Sequence, residues 1–296
     1  MCASERERGR KSHEKLNKAR PAKPLEQEKK LRPTRIRELK MKRVVLMIFG
    51  VVLTLHSYAQ TPTNYRLTID WSNRDMNGKV LLHRIASGKI VEISRQSFIE
   101  NTTQLEDWSL TEMSEQGRNT RQIEELDGLK LEVSGDNFTS LDFYKDFPPA
   151  QVELIRWIVQ DKVAFGVYGQ MYLDSLQLNV PYYPDFFQNQ QADFEQYVNF
   201  NTQKLNITWL GFSEMNGKNC KLVYYKSMYN PINADNDIMI LNGRSCFWGH
   251  IWISPDTRQI EYATMNEDLI YKMKLKSNDF EQQINMQRDL IFRKIE

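Results

Sequence analysis

From Asn64 onward, apolar and polar residues alternate: Tyr65, Leu67, Ile69 and Trp71 are interleaved with Arg66, Thr68, Asp70 and Ser72. A period of two places each set on its own sheet face, and the aromatic residues suit a half-buried strand. "KVLLHRIASGKIVEISRQSF" predicts two short strands about a Ser87-Gly88 turn. "LEDWSLTEM" and "LDGLKLEVSGDNFTSLDFY" carry weaker strand patterns, with Gly128 and "SGDN" as turns. In "NITWLGFSEMNGKNCKLVYYKS", Asn216-Gly217 suits the positive φ angles of a type I′ turn. That hairpin would set Trp209 opposite Tyr224 and Ser213 opposite Cys220. A second hairpin is predicted from "RSCFWGHIWIS" and "RQIEYATM" about the turn "SPDT". In "LIYKMKLK", Leu269, Tyr271, Met273 and Leu275 share one face while Lys272, Lys274 and Lys276 share the other, so one side of the sheet is wet. A last strand is expected around Asp289–Lys294.

One segment breaks this rhythm. In "DFPPAQVELIRWIVQDKVAFGVYGQMYLDSL", Val152, Ile155, Val159 and Val163 recur at helical spacing. Asp146 is placed to cap the helix, and Pro148-Pro149 fit a first turn whose amides lack partners anyway. Gly166 and Gly169 should bend or end it. The helical insert thus spans about 148–176 within a single β-rich domain, 60–296. The expected class is α+β: mainly antiparallel, a curved, half-barrel-like sheet with the inserted helix covering one face.

The late hairpins "GKNCKLVYYKS" and "GHIWISPDTRQIEYATM" are similar to those in which a Gly-containing strand leads to a "W-I-x-P" turn. In these segments the chain resembles the periplasmic lipoprotein carriers of Gram-negative bacteria, the LolA/LolB-like superfamily. The resemblance implies a half-barrel with a helical lid and an apolar ligand, and it carries over no functional residue.

Upstream lies "MKRVVLMIFGVVLTLHSYAQ": a positive start at Lys42-Arg43, an apolar run Val44 to Leu55, then Ser57-Tyr58-Ala59. Charge, apolar core and small-x-small is the order of a signal peptide, here 41–59 with cleavage between Ala59 and Gln60. The run is short of the roughly 20 apolar residues that a membrane span needs. The ending "SYAQ" resembles export signals of Gram-negative bacteria, so a periplasmic or secreted protein is expected, without a stable transmembrane span after processing. Residues 1–40 have two readings: a basic arm for nucleic acid or an anionic membrane surface, or a gene-model artefact with translation starting at Met41. The second is favoured, since cleavage at Ala59 would discard the segment in any case.

That processing reverses the electrostatics. The whole chain has 40 basic and 38 acidic residues. Removing residues 1–59 takes away 16 basic and 6 acidic ones, leaving 24 and 32, a net charge of −8. An acidic body repels phosphate backbones, so no nucleic-acid partner is expected.

Candidate chemistry is sparse. G-x-S-x-G, G-x-x-x-x-G-K-[ST], H-E-x-x-H and CxxC motifs are all absent from the sequence. Past the signal only His83 and His250 remain, too few for a zinc site without several carboxylates, so no metal or cofactor is expected. His250 shares a strand side with Cys246, Trp248 and Trp252 and reads as a hydrogen-bonded core histidine. Cys220 and Cys246 form a disulfide candidate for an oxidising compartment, against the alternative of two buried thiols. Glu124-Glu125 and Glu267-Asp268 read as solvated acids beside turns.

The most suggestive stretch is "VPYYPDFFQN", which packs Tyr182, Tyr183, Phe186 and Phe187 between stiffening prolines. These are the candidate ligand-binding residues: a rigid aromatic loop can grip an acyl chain or anchor a protein. The bland alternative is a loop folded down as ordinary core. Three function classes follow. The leading one is a non-catalytic envelope protein holding a lipid or other apolar ligand in a groove between sheet and helix. The others are a structural or interaction protein with no small ligand, and a carboxylate-dependent hydrolase.

Overall fold

A computed structural model describes residues 62–184, 190–194, 198–202, 204–278 and 280–296. The expected cleavage site at Ala59 and Gln60, the signal segment and the basic prefix lie outside the described residues, as do Phe186 and Phe187.

Among the described residues, twelve strands make one antiparallel sheet. They are β1 (Thr63–Arg74), β2 (Val80–Ser97), β3 (Glu100–Ser114), β4 (Gly117–Gln122), β5 (Lys130–Ser134), β6 (Gln190–Phe194), β7 (Val198–Thr202), β8 (Asn206–Met215), β9 (Lys218–Asp235), β10 (Met239–Ile253), β11 (Ile260–Leu275) and β12 (Glu281–Ile295). Their spatial order is β4-β3-β2-β1-β12-β11-β10-β9-β7-β6, with β5 also on β3 and β8 also on β9. Two meanders meet where the first strand pairs with the last, and the curved sheet stays open. Two helices follow β5: the one-turn α1 (Leu141–Tyr144), and α2 (Val152–Gly166), which runs on through a π turn at Val167–Met171. This is the α+β, half-barrel-like class the sequence predicts.

Strand alternation sets the faces. Tyr65, Leu67, Ile69 and Trp71 of β1 are buried inward, as are Leu290 and Phe292 of β12 and Phe247, Ile251 and Ile253 of β10. Each such side chain gains roughly 1.5–3 kcal/mol by leaving water. Helix α2 lies on this inner face through Ile155, Ile158, Val159, Val163 and Phe165. Its rings interleave with those of the strands: Trp157 meets Trp71 edge-on at 5.2 Å, and Phe165 stacks on Phe292 at 5.7 Å.

Several sequence expectations need correction. Ser87-Gly88 is no turn, because β2 runs straight through it. Gly88 is needed for close approach: a Cβ there would lie 2.2 Å from the Trp108 indole, which covers the strand. The last strand is far longer than Asp289–Lys294 and sits at the centre of the sheet. Asp146 does not cap α2; a 3-10 turn at Pro149–Gln151 leads in, and Gln151 is the capping position. Gly166 does mark the change of helix, from α to π.

The Asn216-Gly217 hairpin forms with both residues at positive φ, 52° and 69°. Ser213 faces Cys220 as expected, but Trp209 faces Val223 rather than Tyr224. A β-bulge at Leu210 inserts one residue and shifts the register beyond it.

Candidate functional site

Past the π turn the chain runs along the outer edge of β8. Leu178 bridges to Trp209 and Tyr182 to Ile207. Backbone bonds fix the contact: Asn179 N donates to Trp209 O at 2.8 Å, and Tyr182 and Ile207 exchange bonds at 2.8 and 2.9 Å. The expected aromatic loop is therefore partly an added strand. Tyr182 is half-buried, with its ring 5.3 Å from that of Tyr172 at the end of the helical segment. Tyr183 instead faces solvent, 51% exposed.

Around this edge lies apolar surface that the fold leaves open. Leu178, Val180, Leu210 and Phe212 are exposed along with Tyr183. The bulge explains part of it. By adding Leu210 it brings Phe212 onto the same face as Trp209, and the two rings meet edge-on at 5.5 Å. The Lys221 ammonium lies 4.9 Å from the Trp209 ring centre, a cation–π contact on the same patch. Gly211, at φ 126°, holds the chain where the Leu178 side chain closes over it. Leu178, Trp209 and Phe212 were missed by sequence reasoning. Their signal was the "WLGF" run, in which an apolar residue and a glycine interrupt strict alternation.

Between helix and sheet the inner face is filled. Small cavities line this interface among the described residues. One, of about 20 Å³, is lined by Tyr65, Glu92, Arg95, Phe98, Lys162 and Phe292 among others. The second, of about 10 Å³, lies beneath Ile158 and Val163. Each has room for roughly one water.

Charge is buried at the same interface in two clusters. In the first, Lys162 of α2 contacts Glu92 of β2 at 3.2 Å and donates to Asn101 Oδ1 at 2.6 Å, while Arg95 Nε lies 3.4 Å from Glu92. Burial pulls the Lys162 ammonium below its ordinary range, and Glu92 opposes that. In the second, Arg288 of β12 donates to Asp161 of α2 and to Glu267 of β11, both at 2.7 Å. Ser245 Oγ donates to Glu267 at 2.6 Å, and the Trp157 ring caps the guanidinium at 4.7 Å. Burial pushes the Asp161 carboxyl up to about 6, against the pull of Arg288 and with the push of Glu267. Glu267 is thus no solvated turn acid; it points inward from mid-strand. Two carboxylates on one guanidinium tie a helix to a sheet.

His250 also departs from expectation. It sits on the outer face, half-buried, among Tyr224 at 5.2 Å and Trp252 at 6.0 Å. The core side of β10 belongs to Phe247, Gly249, Ile251 and Ile253. Burial lowers His250 below its ordinary value, which keeps the ring neutral. His83 pairs on the same outer face with Asp70 at 2.8 Å. No set of three His, Cys, Asp or Glu converges to hold a metal among the described residues.

The disulfide is a correction. Cys220 and Cys246 are both free thiols. Ser245 faces Asn230 and Phe247 faces Ser227, so Cys246 lies opposite the Met228–Tyr229 bulge. Cys220 is eight positions further along β9, or about 25 Å at strand rise, far beyond disulfide reach. Sequence spacing cannot show this, because a long strand can carry one cysteine away from the other.

No helix among the described residues is long and apolar enough to cross a membrane. No protein-family profile matches the chain, and no curated protein does. Among solved structures, one described as lipid–protein interactions in lipovitellin is similar at 11% identity and a TM-score of 0.36. The match covers 79% of this chain and 25% of that one, so this chain spans about a quarter of the lipovitellin chain.

Proposed function

We propose that this chain is an exported, non-catalytic protein of the cell envelope that binds a lipid or another apolar ligand on the edge where the helical segment ends. The observation that carries this reading is exposed apolar surface at this edge: Leu178, which bridges to Trp209, and Phe212, whose ring meets that of Trp209, with Val180, Tyr183 and Leu210 also exposed on the same two segments. Contiguous apolar surface on a folded protein marks a place of interaction. Lys221 adds a positive charge against the Trp209 ring, suited to an amphiphile with an anionic head. The signal-like segment 41–59 supports a periplasmic or secreted location, and an open antiparallel sheet carrying a helix is the architecture that a resemblance to the LolA/LolB-like carriers would imply.

A second reading, an envelope interaction protein with no small ligand, is favoured by the filled inner face, whose cavities hold about one water each. Native mass spectrometry of protein purified from the envelope fraction separates the two. A lipid-sized mass on the wild type that is lost in a Leu178→Ser/Phe212→Ser double variant supports the carrier. A wild type that carries no added mass but holds a protein partner through the same patch contradicts it.

A further inference from the structure

The contact between α2 and the sheet is unbalanced in charge at its centre. Asp161 from the helix and Glu267 from β11 share one guanidinium, that of Arg288 from β12. All three residues are less than a tenth exposed. The phenols of Tyr168, in the π turn, and Tyr225, on β9, also face these carboxylates, and Ser245 of β10 donates to Glu267. With both carboxylates ionised, one negative charge is left uncompensated in the interior. With one protonated, the cluster is neutral. Arg288 Nε, also buried, has no hydrogen-bond acceptor among the described residues.

The geometry points to a pH-sensitive clasp: protonation of Asp161 tightens the docking of α2 on the inner face of the sheet, and ionisation loosens it. The direction follows from linkage. Undocking returns Asp161 to water, where a carboxyl has its ordinary value of 3.8, whereas the docked group stands at about 6. The docked state therefore binds the proton more tightly. Its added stability is fully present below the ordinary value and is lost as pH rises through the docked one. From pH 5 to pH 7.5 this weakens docking by about tenfold. Glu267 takes part as the neighbour whose negative charge raises Asp161. The clasp does not depend on the ligand proposed above, and its test uses none.

Hydrogen exchange read by mass spectrometry on the intact protein tests it, with rates corrected for the intrinsic pH dependence of exchange. Peptides covering 152–171 should lose about tenfold in protection between pH 5 and pH 7.5. In Asp161→Asn, which keeps the shape and removes the titration, that dependence should vanish. Glu267→Gln, which leaves Asp161 alone with Arg288, should flatten it as well. Corrected helix protection in the wild type that is the same at both pH values would overturn the clasp, as would an Asp161→Asn protein that keeps the wild-type dependence.

Discussion

The Tyr225 hydroxyl of β9 reaches across β10 and donates to the backbone carbonyl of Thr264 on β11, at 2.8 Å. It can do so only because residue 249 beneath it is glycine. A Cβ there would lie 2.6 Å from the Tyr225 oxygen and 1.9 Å from the Thr264 carbonyl oxygen. The pair ties three strands together in the centre of the core. Gly249→Ala should therefore destabilise by about 3 kcal/mol or more, since backbone cannot yield as a flexible side chain does. Tyr225→Phe keeps the ring and loses one bond, so about 1 kcal/mol is expected. Urea unfolding midpoints at constant m-value measure both.

Glu92 is buried between Lys162 and Arg95, two cations with little access to water. Its truncation to Ala would leave both charges uncompensated, at a cost of about 3–5 kcal/mol. Adding Lys162→Met should recover part of that loss. A double-mutant cycle on unfolding free energies checks the coupling; strict additivity of the two substitutions would refute it.

What the sequence revealed was whatever local chemistry decides. The alternation from Tyr65 to Trp71 marks a buried face, and Asn216-Gly217 marks a tight turn, because neither depends on distant residues. The spacing of Val152, Ile155, Val159 and Val163 likewise finds the buried stripe of α2. Failures came where a distant partner decides. Gly88 reads as a turn until Trp108, brought over it by the next strand, shows why a side chain is excluded. Glu267 reads as solvated until Arg288 and Asp161 arrive from elsewhere in the chain. His250 shares a strand side with three other bulky residues, and only the position of α2 decides that this side faces outward. At the proposed site Tyr182 and Tyr183 stand out by their own clustering, whereas Leu178 and Phe212 depend on a bulge and on an edge pairing.

The separation of the cysteines predicts two free thiols in the oxidised protein. Under denaturing, non-reducing conditions, alkylation should label both Cys220 and Cys246, and a peptide joining them should be absent. Burial raises the Cys220 thiol above its ordinary value, so in the native state it should react slowly at pH 7–8.

Gly217, at φ 69° in the β8–β9 turn, has open space around it, so substitution there meets strain and no clash. Gly217→Ala should cost about 1 kcal/mol. Gly217→Asn should cost less, because asparagine tolerates the left-handed region better. Thermal melts of the two variants against wild type give the ranking.

Photo-crosslinking with a diazirine-bearing fatty acid, mapped by peptide mass spectrometry, tests the proposed binding surface most directly. Adducts concentrated in 171–183 and 207–212, and competed by unlabelled fatty acid, are the predicted result. Labelling spread evenly over the surface, or confined to segments away from Leu178, Trp209 and Phe212, would contradict it.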